Sequence, residues 1–240
     1  MIPAEKRTDG FDRCPPKREP IFNIPDILVV CVAILVVVHG VRLYILTPEF
    51  DDWLVTNTAF IPQRYLLPLS DQSAWAYILG PVTYSLLHGG WQHLGSNALF
   101  LVIFATPLTA RIGAMRFILL WITAAIASAF SQAVLTGFEN SFLVGASGVV
   151  SACAGASCRF VVPLLGSNRV TAARYAPRFG IFEALFHRTV LVFIGFWLLF
   201  NVVLAGVGDS NIAWQAHLGG FLFGYLTFGL FDPPLRHSRY

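Results

Sequence analysis

The sequence predicts an all-α membrane protein built on six transmembrane helices, and three observations carry that prediction. Hydrophobic residues make up 56% of the 240-residue chain and charged residues 12%, against about 25% charged in ordinary soluble domains. Its apolar runs are long enough to cross a hydrocarbon core of about 30 Å, which takes about 20 helical residues. They are rich in Leu, Val, Phe and Ala and lack the alternation of an outer-membrane barrel, so they read as helices.

Residues 1–22 form a polar tail with Lys6, Arg7, Arg13, Lys17, Arg18 and the pair Pro15-Pro16. The length of polar chain before the first apolar run, and the lack of a small-residue cleavage site after it, argue against a signal peptide. The membrane domain is expected over 23–232, with its first helix over 26–46 behind the start signal Pro25. Segment 47–77 mixes Glu49, Asp51, Asp52 and Asp71 with Trp53, Tyr65, Trp75 and Tyr77. Acids interleaved with amphipathic aromatics suit a structure lying in the membrane interface. The second helix is expected over 78–111, the third over 114–136, the fourth over 147–163 and the fifth over 189–207. The sixth, over 212–231, is capped by Asp209-Ser210-Asn211 and ended by Asp232-Pro233-Pro234, leaving 233–240 as a second polar tail.

Charge then orients the chain. If the helices alternate, all of the 16 Lys and Arg residues except Arg42 and Arg64 fall on the side of the N-terminal tail. That asymmetry puts both termini in the cytoplasm; separately from the charge pattern, a bacterial inner membrane is the expected location. No basic cluster with interleaved aromatics points to nucleic acid as a partner. Cys14, Cys31, Cys153 and Cys158 have neither the spacing of a zinc site nor that of a disulfide framework, and read as packing residues.

Three polar stretches interrupt the apolar runs: 88–97, with His88, His93 and Asn97; Gly145-Ala146-Ser147-Gly148; and Ala216-His217-Leu218-Gly219-Gly220. Polar groups inside a membrane are costly and tend to be functional. Each stretch shares a helix with a charged marker, and at 1.5 Å per residue Asn97 lies roughly 21 Å from Arg111, Ser147 roughly 18 Å from Arg159 and His217 roughly 22 Å from Asp232. Three rulers converge on one depth, about 10 Å inside the outer surface of a core of about 30 Å. Residues 137–146 must then dip into the protein to deliver Ser147, and non-helical backbone at that depth needs protein or a water cavity around it.

The small residues supply a route to contact. His217, Gly220 and Gly224 share one face of the sixth helix, and Gly148, Ala152 and Gly155 are their counterparts on the fourth. Packing these faces together brings the Ser147 hydroxyl to His217. A serine needs a base within hydrogen-bond reach to act as nucleophile, and His217 is the candidate. No carboxylate lies at the same depth, so the expectation is a Ser-His dyad. The oxyanion donors are the Ser147 backbone N–H at a helix N-terminus and the side chains of His93 and Asn97, four apart on one helix face. His88 sits higher, holding water or a loop.

Blander readings stand beside these. Ser128 and Ser151 are expected to bond back to their own helices. A lone His or Asn in a bundle is as readily a packing hydrogen bond, and Gly220 and Gly224 are packing residues. A metal site from His88, His93 and His217 has no carboxylate at its depth and lacks the His-Glu-x-x-His pattern.

His88, His93 and Asn97, then Gly145-Ala146-Ser147-Gly148, then Ala216-His217 with Gly220 and Gly224, come in an order that resembles the rhomboid family of intramembrane serine proteases over about 24–232. The resemblance implies a six-helix rhomboid-like bundle, Ser147 as nucleophile, His217 as general base, and His93, Asn97 and the Ser147 backbone as oxyanion site. It also implies transmembrane protein substrates, cleaved in or near their membrane segment, with the lipid bilayer as the other partner and no metal or nucleotide cofactor. By family analogy, the fifth helix with Gly195 and Trp197 and the loop after it form a lateral substrate entrance. Two positions depart from the pattern. Gly80-Pro81-Val82-Thr83-Tyr84 stands where many members carry a Trp-Arg pair, and Ser151 where some place an aromatic against the histidine. The alternatives are a catalytically silent relative that binds transmembrane helices, which usually lacks the serine or histidine, and a small transporter, for which there is no internal repeat.

Overall fold

The computed structural model describes residues 24–162, 176–206 and 213–232. Its helices are α1 (Asp26–Tyr44), α2 (Pro48–Thr58), α3 (Ala74–Thr83), α4 (Trp91–Ile112), α5 (Ala114–Leu135), α6 (Ser147–Ser157), α7 (Ile181–Leu185), α8 (Arg188–Gly206) and α9 (Trp214–Phe231). Three of them, α1, α4 and α5, are long and apolar enough to cross a membrane by length and composition. Among the described residues there is no strand, only an isolated bridge between Phe60 and Leu143.

Helix α6 is the centre of the bundle. It has only 11 residues, about 16 Å at 1.5 Å per residue, and Gly148 through Ser157 are all buried. Its most extensive neighbour is α9, followed by α4. Small residues make that closeness possible. A Cβ on Gly220 would overlap the Gly148 carbonyl, one on Gly224 the Ala152 carbonyl, and one on Gly155 the Phe221 carbonyl. The two backbones therefore touch directly along the faces that carry 148, 152 and 155 on one side and 220 and 224 on the other.

Irregular backbone leads into α6, and its polar groups are paired. Phe60 and Leu143 exchange N–H···O bonds at 3.2 and 2.9 Å, and the Gly145 N–H donates to the Tyr84 carbonyl at 3.0 Å. The buried Tyr84 hydroxyl in turn donates to the Ala125 carbonyl on α5 at 3.0 Å. This is how a non-helical segment is tolerated among packed helices.

The far end of the bundle is held by arginines. Arg111 at the end of α4 pairs with Asp232 just past α9 at 2.7 Å, with side chains only 2% and 4% exposed. The Arg111 guanidinium lies 5.0 Å from the centroid of the Phe160 ring. Arg159 donates to the carbonyls of Phe179 and Tyr225, both at 2.8 Å. Two of the depth markers used above thus form one ion pair, so the rulers on α4 and α9 share an origin.

The expected second helix is two helices. Pro81 has no N–H to continue α3, a 3-10 turn follows over Tyr84–Leu86, and Gly90 is extended at φ 171° and ψ 168° before α4 starts. His88 therefore precedes the helix that carries His93 and Asn97. The expected fourth helix ends earlier, at Ser157, in a turn reaching Val162. Segment 47–77 holds α2, whose Thr47 side chain accepts from the Phe50 N–H at 3.4 Å, and exposes Phe50 and Trp53. Burial pushes the Tyr65 phenol there up to about 12, so its hydroxyl keeps its proton and donates to the Tyr77 carbonyl at 2.7 Å. The expected cap at 209–211, both tails and the loop at 163–175 lie outside the described residues.

Candidate active site

Ser147 is the first residue of α6, and His217 lies one turn before Gly220 on α9. Because Gly220 rests on the Gly148 carbonyl, that contact carries both side chains toward one space. A cavity of about 1020 Å³ is lined by Ser147 and His217, and by His93 and Asn97 from α4. No hydrogen bond joins Ser147 to His217 among the described residues; such bonds are often open without substrate.

The serine loop sits under the α4 side chains. Gly145 has φ +115°, and a Cβ there would stand 2.7 Å from His93 Nε2 and 3.5 Å from Asn97 Nδ2. Only glycine takes this backbone conformation without strain and leaves room for both groups. His93 Nδ1 accepts the Gly89 N–H at 3.4 Å, so in neutral His93 the proton is on Nε2, the edge toward Gly145. Asn97 is 5% exposed and its Nδ2 has no partner among the described residues. A buried donor left unpaired costs about 1–3 kcal/mol, and a ligand oxygen in the cavity removes that cost. The first N–H groups of α6 likewise have no intrahelical acceptor.

His88 is buried outside the cavity wall and accepts the Ala146 N–H on Nε2 at 3.5 Å. Its carbonyl accepts from Arg42 at 3.0 Å, and Arg42 is held by Asp51 of α2 at 2.7 Å. This chain ties α1 and α2 to the loop that presents Ser147.

Two contacts escaped the reading of the sequence. Tyr84 anchors the loop through its carbonyl, and backbone acceptors leave no trace in residue types. Asn201 on α8 lies 2.6 Å through Oδ1 from His217 Nδ1. It is the one amide in the apolar run from Val190 to Ala205, a signal that was there to be read. Ser151, a turn after Ser147, lines the cavity, and the buried Ser128 hydroxyl stands beside the Tyr84 hydroxyl at Gly148; among the described residues neither serine donates to a carbonyl of its own helix. Much of the remaining wall is aromatic, with Phe100 and Phe104 from α4 facing Phe193, Phe196 and Phe200 from α8.

Fold and cavity together define an integral membrane protein, helical throughout its described residues, with a largely apolar cavity into which a few polar side chains converge. A sequence model of the Rhomboid domain matches residues 74–232, more than half of the chain, and the chain belongs to the rhomboid family. It is similar to Rhomboid-related protein 2 of Mus musculus, with 25% identity over 241 residues covering 98% of this chain and 73% of that protein. It is also similar to the Rhomboid protease GluP of Bacillus subtilis (strain 168), with 28% identity over 156 residues covering 65% of this chain and 26% of that protein.

Proposed function

We propose that this chain is an intramembrane serine endopeptidase that cleaves membrane-anchored proteins in or near their transmembrane segment. The observation that carries the reading is the convergence on one cavity of Ser147 at a helix N-terminus, His217 on the touching helix, and a buried Asn97 whose Nδ2 has no partner among the described residues. Protease activity in a relative, named as such in Bacillus subtilis, supports the same reading. In it, α1, α4, α5, α6, α8 and α9 are six spans, both termini are cytoplasmic, and the cavity opens toward the other side. The aromatic walls of α4 and α8 form the face that meets the substrate helix.

Ser147 Oγ attacks the scissile carbonyl while His217 Nε2 takes its proton. The oxyanion is held by Asn97 Nδ2, His93 Nε2–H and the Ser147 N–H, and His217 then returns the proton to the leaving amine. Water entering the cavity hydrolyses the acyl-enzyme with the same base. The test is labelling of the purified protein with a fluorophosphonate and mapping of the adduct. A single adduct on Ser147 is the expected result. A folded protein that takes no label, or takes it on another serine, overturns the reading.

Asn97→Ala separates stabilisation from nucleophilic attack. It removes one donor to the oxyanion and is expected to lower kcat by about 10²-fold with KM little changed. A variant that cleaves at the wild-type rate would remove Asn97 from the oxyanion site.

A further inference from the structure

We infer that Asn201 is the positioning residue for the general base, fixing the tautomer and direction of His217 in the place a carboxylate holds in a Ser-His-Asp triad. The inference rests on the proposed function and deepens it. Asn201 is 8% exposed, and its Nδ2 donates to the Trp197 carbonyl at 2.8 Å. That bond settles which way the amide faces, because a carbonyl accepts only from the nitrogen end. Oδ1 is therefore the atom 2.6 Å from His217 Nδ1. An amide oxygen cannot donate, so Nδ1 carries the proton and Nε2 of the neutral ring keeps its lone pair. That is the tautomer a base needs.

The same contact serves the reaction cycle. When Nε2 takes the Ser147 proton the ring becomes a cation with both nitrogens protonated, and Nδ1–H stays on Asn201 Oδ1. When Nε2–H is handed to the leaving amine, the ring returns to the starting tautomer. Ser151 puts a small side chain on the cavity wall, and the hydrogen bond that holds the ring is at its edge, from Asn201. No carboxylate among the described residues lines the cavity, and a neutral amide holds the ring without burying a second charge.

The experiment compares Asn201→Leu, which deletes the acceptor at similar size, with Asn201→Asp, which keeps it, using full-length protein in liposomes with a membrane-anchored substrate. Asn201→Leu is expected to lose about 10²-fold in kcat with KM within about threefold, because the tautomer is released while the substrate surface stays. Asn201→Asp is expected to remain within about tenfold of wild type. Equal loss in both folded variants, or wild-type kcat in Asn201→Leu, overturns the inference and leaves only a packing contact. Nitrogen-15 spectra of histidine-labelled wild type, with His217 assigned by its loss in His217→Gln, decide the matter even where a variant does not fold. Nδ1 protonated and Nε2 bare is the expected signature; the opposite tautomer overturns it. Serine-dependent cleavage that is indifferent to Asn201 sinks this inference alone, whereas a wild type without such cleavage sinks the proposed function.

Discussion

Ser147→Ala and His217→Ala are each expected to lower cleavage of a membrane-anchored substrate by about 10⁴-fold or more, with the bundle still folded. Ser147 Oγ has no hydrogen bond among the described residues and borders the cavity, so its removal takes nothing from the packing. Losing His217 leaves Asn201 Oδ1 without this partner, which costs about 1–3 kcal/mol against a fold held by the α6 and α9 backbones. The double variant is expected to be no slower than either single one, because nucleophile and base act as a unit. Cleavage rates with and without the residues, on protein whose melting is unchanged, decide this. Retained cleavage in Ser147→Ala would leave the cavity without a nucleophile. Additive losses in the double variant would mean that the two side chains act in separate steps.

How much of this was legible in the sequence follows from what each residue must satisfy. The helices α1, α5 and α9 were readable because each is one long apolar run bounded by charged or helix-breaking residues. The contact of α6 with α9 was readable because backbones that touch require glycine at fixed spacing, and Gly155, Gly220 and Gly224 have it. The break between α3 and α4 was missed because Leu86, Leu87 and Trp91 keep the run apolar, while Pro81 and Gly90 set the backbone. Asn201 was missed for a different reason. An amide presents the same acceptor as a carboxylate without the charge that marks a carboxylate in a sequence.

Gly224→Val is expected to destabilise the protein by about 3 kcal/mol or more, and Gly220→Val to lower both stability and cleavage. At Gly224 even the first added carbon overlaps the Ala152 carbonyl, and at Gly220 it overlaps the Gly148 carbonyl and stands 2.7 Å from Ser128 Oγ. Backbone cannot rotate away as a side chain can, so α9 must move as a whole. The two positions differ in what that movement reaches. Gly220 is three residues from His217, and its contact partner is next to Ser147, so the folded fraction of Gly220→Val also separates base from nucleophile. Gly95 on α4 provides the control, since nothing lies within 4 Å of an added Cβ. There, Gly→Ala is expected to be neutral or to stabilise by up to about 1 kcal/mol. Thermal melting in detergent together with cleavage in liposomes separates the cases. A Gly224→Val variant as stable as Gly95→Ala would mean that α6 and α9 do not touch, and the geometry that joins Ser147 to His217 would go with that contact.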